Sequence, residues 1–278
     1  MSAARGPLFE LRGVSYAYPG GRAALDKVDL DIAEGARLAI LGANGSGKST
    51  LLKLIDGLIF PAAGALQAFG RTIDEQALEE VNFNAYFRRR VAFVFQDSDI
   101  QLFSPTVFDE VAFGPLQLDI SPEAAARRAD DVLEMLDLSP LRDRQPHQLS
   151  GGEKKKVAIA AVLAIGPDVL LLDEPTNNLD PRTRAWLLDL LLELGRAGKT
   201  IILATQDLDM AADFADAVVI LNEGHQIAAA GPAMLLADTE LLVAVNLLHE
   251  HWHRHGRTAH SHTHSHLAAH EHEHLPAE

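Results

Sequence analysis

An eight-residue segment near the start of the chain restricts the possible folds more than any other feature. Residues 42–49 read Gly-Ala-Asn-Gly-Ser-Gly-Lys-Ser and match the pattern G-x-x-x-x-G-K-[ST] in full. Residues 37–41 form an apolar run typical of a buried strand, and residues 50–58 show helical apolar spacing. A glycine-rich loop between a strand and a helix presents backbone N–H groups to phosphate. The segment therefore predicts a phosphate-binding loop in an α/β fold.

The residue types of this loop suit a nucleoside triphosphate with its magnesium ion. The Lys48 ammonium can neutralise the β- and γ-phosphate oxygens, and the Ser49 hydroxyl can ligate Mg²⁺. The predicted nucleotide-binding set is Gly42, Asn44, Gly45, Ser46, Gly47, Lys48, Ser49 and Thr50.

A second acidic motif follows a predicted buried strand later in the chain. Residues 169–175 read Val-Leu-Leu-Leu-Asp-Glu-Pro, so Asp173 and Glu174 stand at the strand's carboxyl end. Ligands of open α/β sheets bind at this end of the strands. An acidic pair after a strand is often only a surface loop, but next to a phosphate-binding loop it indicates catalysis. We expect Asp173 to hold Mg²⁺ and Glu174 to polarise the attacking water.

The remaining pattern predicts an α/β chain with distinct regions. Residues 9–14 and 28–32 indicate an antiparallel β element, and helical spacing begins at Ser121-Pro122-Glu123 and again at Gly151. Strand and helix patterns alternate after Val169, as in a parallel sheet.

Composition excludes several classes of protein. The 39 acidic residues outnumber the 24 basic ones, and a net charge of −15 disfavours nucleic acid as a partner. No apolar run reaches the roughly 20 residues that a membrane-spanning helix needs. The chain has no cysteine, and its first ten residues contain no apolar segment of a secretion signal. We therefore expect a cytosolic location.

A third motif makes a family resemblance specific. Residues 149–153 read Leu-Ser-Gly-Gly-Glu, open a predicted helix and precede Asp173 by about twenty residues. This segment resembles the signature motif of ABC ATPases. The resemblance covers residues 8–232 and implies a P-loop NTPase with a RecA-like parallel sheet core, an N-terminal antiparallel β subdomain and an inserted α-helical subdomain at about 97–165. We place the ATPase domain at residues 1–240 and a C-terminal extension at 241–278.

The resemblance also implies roles for single residues. The signature residues Ser150, Gly151, Gly152 and Glu153 would contact the ATP held by a second copy or a paired ATPase, so two ATP molecules would lie between two subunits. Tyr18 resembles the aromatic residue that stacks on adenine. Gln96 would contact Mg²⁺ and communicate with separate membrane subunits, and Asp180 would belong to the loop that crosses the dimer interface.

One position departs from the family pattern. Where the family usually has a histidine after the strand at 200–204, this chain has Gln206. An amide can still donate a hydrogen bond to the γ-phosphate, but it cannot become cationic. We therefore expect a changed catalytic rate and an unchanged reaction.

Two features bear on the transported cargo. Residues 95–103, with 105–107 and 111–115, resemble the energy-coupling-factor subgroup and its cobalt and nickel importers, although Ser98 stands where that subgroup often has proline. The C-terminal extension is rich in histidine, and its composition predicts disorder without metal. Imidazole suits Ni²⁺, Co²⁺, Zn²⁺ and Cu²⁺, which makes these side chains candidate ligands. They are His249, His251, His253, His255, His260, His262, His264, His266, His270, His272 and His274.

The sequence leaves three alternatives. The cargo can be a vitamin or an amino acid instead of a metal. A histidine-rich GTPase that delivers nickel would carry N-K-x-D and lack the signature, which is the reverse of what this chain shows. A soluble ABC ATPase of DNA repair or translation would need a coiled-coil insertion or two cassettes, and its substrate conflicts with the acidity.

Overall fold

The computed structural model describes residues 6–118, 120–255 and 258–265. Its strands are β1 (Phe9–Ala17), β2 (Ala23–Ile32), β3 (Arg37–Leu41), β4 (Ala63–Ala68), β5 (Arg71–Thr72), β6 (Val91–Val94), β7 (Val169–Asp173), β8 (Thr200–Thr205), β9 (Ala217–Asn222), β10 (His225–Ala230), β11 (Leu248–His255) and β12 (Thr258–Ser265). Its α-helices are α1 (Lys48–Ile55), α2 (Glu75–Glu79), α3 (Val81–Arg90), α4 (Ser98–Gln101), α5 (Val107–Leu116), α6 (Pro122–Met135), α7 (Gly151–Leu163), α8 (Pro181–Arg196), α9 (Leu208–Phe214), α10 (Pro232–Leu235) and α11 (Thr239–Ala244).

A six-stranded sheet forms the centre of the fold, in the order β10-β9-β3-β8-β7-β6. All neighbours are parallel except β10, which runs antiparallel to β9 at one edge. Both faces are covered, as parallel sheets require. In β3, Leu38 and Ile40 face one hydrophobic cluster, whereas Ala39 and Leu41 face the other. The predicted α/β fold with a parallel core is confirmed.

A second sheet covers one face of the central sheet. Its strand order is β2-β1-β4-β5, with antiparallel neighbours, as the alternating pattern near the N-terminus predicted. Side chains of β1 and β2 pack with α1 and with one face of β3 in a single cluster. The second sheet therefore packs against the strand and the helix that flank the glycine-rich loop.

Helices α4 to α7 lie between β6 and β7 in the chain, over residues 98–163. Local signals set their starts, because Ser121 accepts a hydrogen bond from Ala124 N at 3.2 Å and proline occupies the first position of α6. Helices α5, α6 and α7 share a hydrophobic cluster with the second face of the central sheet. This packing orients the first turn of α7. No helix of the described residues is long and apolar enough to cross a bilayer.

The histidine-rich extension contains the antiparallel pair β11 and β12. That this extension is disordered without metal stays a prediction from its composition. His266, His270, His272 and His274 lie outside the described residues.

Candidate active site

Four of the predicted site segments meet at one edge of the central sheet. Strands β3, β8, β7 and β6 are neighbours in that order, and all four end at the same edge because they are parallel. The glycine-rich loop follows β3, Gln206 follows β8, the acidic pair ends β7, and Gln96 follows β6. The order of the strands therefore collects residues that are distant in the sequence.

Backbone conformation and close packing require glycine at two positions of the loop. Gly47 has φ of 107°, and a Cβ added there would lie 2.6 Å from the carbonyl oxygen of Ala24. A Cβ at Gly42 would lie 2.3 Å from Ser46 Oγ and 2.4 Å from the carbonyl oxygen of Leu221. Larger residues would displace the backbone in both places. The loop thus owes its shape to contacts with β2 and β9 as well as to its own sequence.

Lys48 is buried at the start of α1 and has three oxygen partners. Its Nζ donates to the carbonyl oxygens of Gly42 at 2.7 Å and Ala43 at 3.2 Å, and lies 3.1 Å from Glu174 Oε1. The two side chains of this ion pair are 5% and 4% exposed. A buried ammonium in a ring of oxygens at a helix N-terminus is placed to receive phosphate oxygens.

Glu174 is held from several sides. Its Oε2 accepts hydrogen bonds from Thr205 Oγ1 and from the backbone N–H of Gln206, both at 3.3 Å. Its φ of 42° lies in the left-handed region, which costs energy for a non-glycine residue and is common at functional sites. Burial raises the pKa of Glu174, although Lys48 and the hydrogen-bond donors oppose that shift. The carboxylate is therefore positioned in a water-poor environment next to the phosphate loop.

Thr205 was not among the predicted site residues. It ends the buried strand β8 and is itself fully buried, with 0% exposure. A polar residue at the carboxyl end of an apolar strand was the available signal. Its contact with Glu174 follows from the pairing of β7 with β8, which the sequence does not show.

The residues around Asp173 fit a magnesium ion. Asp173 Oδ1 and Ser46 Oγ are buried and have no hydrogen-bond partner among the described residues. Burial raises the pKa of Asp173, while the Ser49 hydroxyl and nearby lysines, Lys48 first among them, lower it. Carboxylate, hydroxyl and water oxygens are the ligands that Mg²⁺ prefers. Asp173 and Ser49 together can hold that ion.

Tyr18 lies beside the first turn of α1, at the start of the β1–β2 turn. Its hydroxyl is 3.3 Å from Thr50 Oγ1 in the first turn of α1, and its ring is 41% exposed. The ring also meets that of Tyr16 edge to face, with centroids 5.1 Å apart. An exposed aromatic face near the loop is available for stacking on a base.

The signature residues form the first turn of α7. Ser150 and Glu153 make a capping box, in which Glu153 Oε2 accepts from Ser150 N at 2.8 Å and Ser150 Oγ accepts from Glu153 N at 3.4 Å. Hydrogen bonds from Ser150 lower the pKa of Glu153. A Cβ at Gly151 would meet nothing within 4 Å. The turn is therefore closed by its own capping box, and the space next to the Cα of Gly151 is open.

The signature turn is adjacent to the start of α8, not to the Lys48 loop. A Cβ at Gly152 would lie 3.2 Å from Thr183 Oγ1. Asp180 caps α8 by accepting from the backbone N–H groups of Arg182 and Thr183, each at 3.0 Å, and hydrogen bonds from Thr183 lower its pKa. Within residues 6–118 and 120–248, no hydrogen bond or ion pair joins the signature turn to the Lys48 loop.

Gln96 is exposed after β6, and its backbone is tied to α7. Its carbonyl oxygen accepts from Lys155 Nζ at 2.8 Å. Gln96, Lys155, Gly151 and Asn177 line a common cleft of about 400 Å³. Lys155 was not among the predicted site residues, because a run of three lysines does not reveal which of them is buried.

Comparisons with known proteins agree with this arrangement. The family model described as ABC transporter matches residues 25–177. A putative ABC transporter ATP-binding protein of Methanosarcina acetivorans is 52% identical over 88% of this chain and 91% of its own length. The nickel import ATP-binding protein NikO of Rhodobacter capsulatus is 51% identical over 87% of this chain and 96% of its own length. An energy-coupling factor transporter ATP-binding protein of Carboxydothermus hydrogenoformans is 43% identical, over 84% of each.

Two solved structures are similar over most of the chain. The first is cbiO1 from Clostridium perfringens, described as part of the ABC transporter complex cbiONQ. Its TM-score is 0.75 at 36% sequence identity, and the match covers 87% of this chain and 96% of cbiO1. The second is a dimer of the ATP-binding cassette MJ0796 in a post-hydrolysis state bound to ADP and Pi. Its TM-score is 0.73 at 30% sequence identity, and the match covers 81% of this chain and 98% of the MJ0796 chain. This chain therefore belongs to the ABC transporter family, as an ATP-hydrolysing subunit.

Proposed function

We propose that this chain powers the import of cobalt or nickel ions through separate membrane subunits, from a position on the cytoplasmic face of the membrane. The observation that carries the ATPase assignment is the buried Lys48–Glu174 pair at the shared edge of β3 and β7. A cation for phosphate and a carboxylate for water, held next to each other, are the parts that phosphoryl transfer needs.

ATP binding would rearrange this pair. The Lys48 ammonium would bind the β- and γ-phosphate oxygens in place of the Glu174 carboxylate. Glu174 would then be free to accept a hydrogen bond from the attacking water. Ser49 and Asp173, with Gln96 as a further candidate ligand, would hold Mg²⁺, which would neutralise the negative charge of the phosphates. The Gln206 amide donates to the γ-phosphate, while its backbone N–H keeps Glu174 oriented. Tyr18 stacks on the adenine.

Turnover would require a pair of ATPase subunits. The helix N-terminus at Ser150, Gly151 and Gly152 is a second candidate phosphate-binding turn, with open space beside Gly151, and no described hydrogen bond connects it to the chain's own phosphate loop. A partner's ATP fits this turn because helix N-termini bind anions. Asp180 lies beside the turn and would share the interface. The related cassette MJ0796 forms a dimer, which supports this arrangement.

The cargo assignment rests on the relatives and on the 95–103 segment. NikO is named for nickel import and cbiO1 for the cbiONQ complex, whereas the energy-coupling factor relatives leave a vitamin or an amino acid as the alternative.

Transport by the intact complex tests the cargo. We expect the membrane complex captured through this chain, placed in vesicles with ATP, to accumulate Co²⁺ or Ni²⁺. The same complex with Glu174→Gln should accumulate neither, because its ATPase is inactive. Metal content is measured by mass spectrometry after filtration. Accumulation of a vitamin or an amino acid, without metal, would reassign the cargo.

The extension supports a second function, metal binding outside the ATPase site. The register of β11 and β12 sets His249 opposite His264, His251 opposite His262, and His253 opposite His260. Alternate residues of a strand share a face, so these six positions occupy one face of the hairpin. The register thus pairs histidine positions across the two strands, and imidazole is a ligand that suits Ni²⁺, Co²⁺ and Zn²⁺.

Titration calorimetry with Ni²⁺, Co²⁺ and Zn²⁺ tests this second function. We expect a chain ending at Leu248 to keep parent ATP binding and lose most metal binding. In the full chain, we expect the double variant His251→Ala, His262→Ala to bind these metal ions more weakly than the parent does. The matched control is Glu250→Ala with Thr263→Ala, the neighbouring opposed pair on the other face. Equal metal stoichiometry in the full and shortened chains would remove the extension from metal binding.

A further inference from the structure

Lys155 is a buried cation that the catalytic scheme above does not use. Its side chain is 3% exposed, and its Nζ donates to the carbonyl oxygens of Phe95 at 3.1 Å and Gln96 at 2.8 Å. Lys155 lies on α7, five positions after the signature residue Ser150. One ammonium group therefore joins the Gln96 backbone to the helix that carries the signature.

Two other contacts join the same two segments. The Gln101 side chain accepts from Phe95 N and donates to the carbonyl oxygen of Ala158 on α7, both at 3.1 Å. On the surface, Lys154 Nζ lies 2.6 Å from Asp99 Oδ1. The segment from Phe95 to Gln101 is thus attached to α7 at three points. Lys155 is the one that holds the backbone of Gln96 itself.

The position of Lys155 is electrostatically costly. Burial lowers its pKa to about 8, while the carboxylates of Asp173 and Asp97 favour the charged form. A buried ammonium is tolerated only where it has hydrogen-bond acceptors, and here two backbone carbonyls supply them. Lys155 also lies in the field of the candidate magnesium ligand Asp173. Its surroundings therefore depend on both Gln96 and the nucleotide site.

We propose that Lys155 is a positioning residue that connects the two ATP sites of the dimer. Gln96 lies at a subunit's own site, and the N-terminus of α7 lies at its partner's site. This inference rests on the proposed two-ATP dimer. When Gln96 moves toward bound Mg²⁺ and phosphate, Lys155 moves α7 as a rigid body because the helix is continuous over 13 residues. The signature turn is then placed for the partner's ATP.

The dependence of ATPase rate on ATP concentration measures this connection in the membrane complex. Coupled sites give sigmoidal kinetics, with a Hill coefficient up to about 2 for two sites. We expect the parent coefficient to exceed 1 and Lys155→Met to lower it to about 1. Lys156→Met is the matched control, because Lys156 is the next residue of α7 and its ammonium lies over the Trp186 ring, 4.5 Å from the centroid, and not on the Gln96 backbone. Its coefficient should stay at the parent value.

A second variant guards against misfolding of Lys155→Met. Gln101→Ala removes a separate contact of the same segment and should also lower the coefficient, by a smaller amount. A parent coefficient of 1 overturns the proposal, as does an unchanged coefficient in a Lys155→Met protein that binds ATP like the parent. Failure of Glu174→Gln to form a nucleotide-bound dimer would instead contradict the dimer itself, so the two failures are distinguishable.

Discussion

Replacing Glu174 by glutamine is expected to reduce ATP hydrolysis by about 100-fold or more, because a positioned base contributes 10²–10⁴-fold. Glutamine keeps the shape of the side chain but loses the charge that polarises water. It also frees Lys48 from its ion pair at 3.1 Å. We therefore expect ATP binding to be retained and a nucleotide-bound dimer to accumulate. Phosphate release and size-exclusion chromatography with ATP measure the two effects.

The matched control is Glu193→Gln, the same change at an exposed position of α8. It should hydrolyse ATP at the parent rate. Gln206 provides a further comparison, since Gln206→His keeps a donor to the γ-phosphate and Gln206→Ala does not. Near-parent hydrolysis by Glu174→Gln would show that another group orients the water. Equal rates for Gln206→Ala and the parent would leave the Gln206 side chain without a catalytic role.

Replacing Gly151 by aspartate should reduce ATP hydrolysis by several hundred-fold without destabilising the subunit. Within the chain a Cβ added at Gly151 meets nothing within 4 Å, and a carboxylate is favourable in the first turn of a helix. In the dimer that carboxylate would face the partner's γ-phosphate. Two such charges about 4 Å apart repel by about 4 kcal/mol at an effective dielectric of 20, or several hundred-fold in rate. ATPase activity and thermal unfolding are the measurements.

Gly231→Asp is the control for this charge change. Gly231 caps α10, is exposed, and also has nothing within 4 Å of an added Cβ. The variant should match the parent in both measurements. Parent-like hydrolysis by Gly151→Asp, or loss of its folded state, would contradict the assignment of this turn to a partner's nucleotide.

The sequence predicted the helices and strands whose pattern lies within one short segment of the chain. Strands and helices alternate from β7 through α8, β8, α9 and β9, as the pattern after Val169 predicted. By contrast, β4 was not predicted, because its sequence AGALQA has little β-propensity. It becomes a strand through pairing with β1, in the register Leu11 with Leu66 and Phe9 with Ala68.

The chemistry of the site divides in the same way. The sequence by itself determined the phosphate loop, the acidic pair and the signature, because each is a short motif whose function depends on spacing along one segment. Only the tertiary structure decided that Thr205 contacts Glu174 and that Lys155 holds Gln96. Those contacts depend on the order of the parallel strands and on the packing of α7. Both arise from the burial of apolar faces between residues far apart in the chain, and no short motif records that packing.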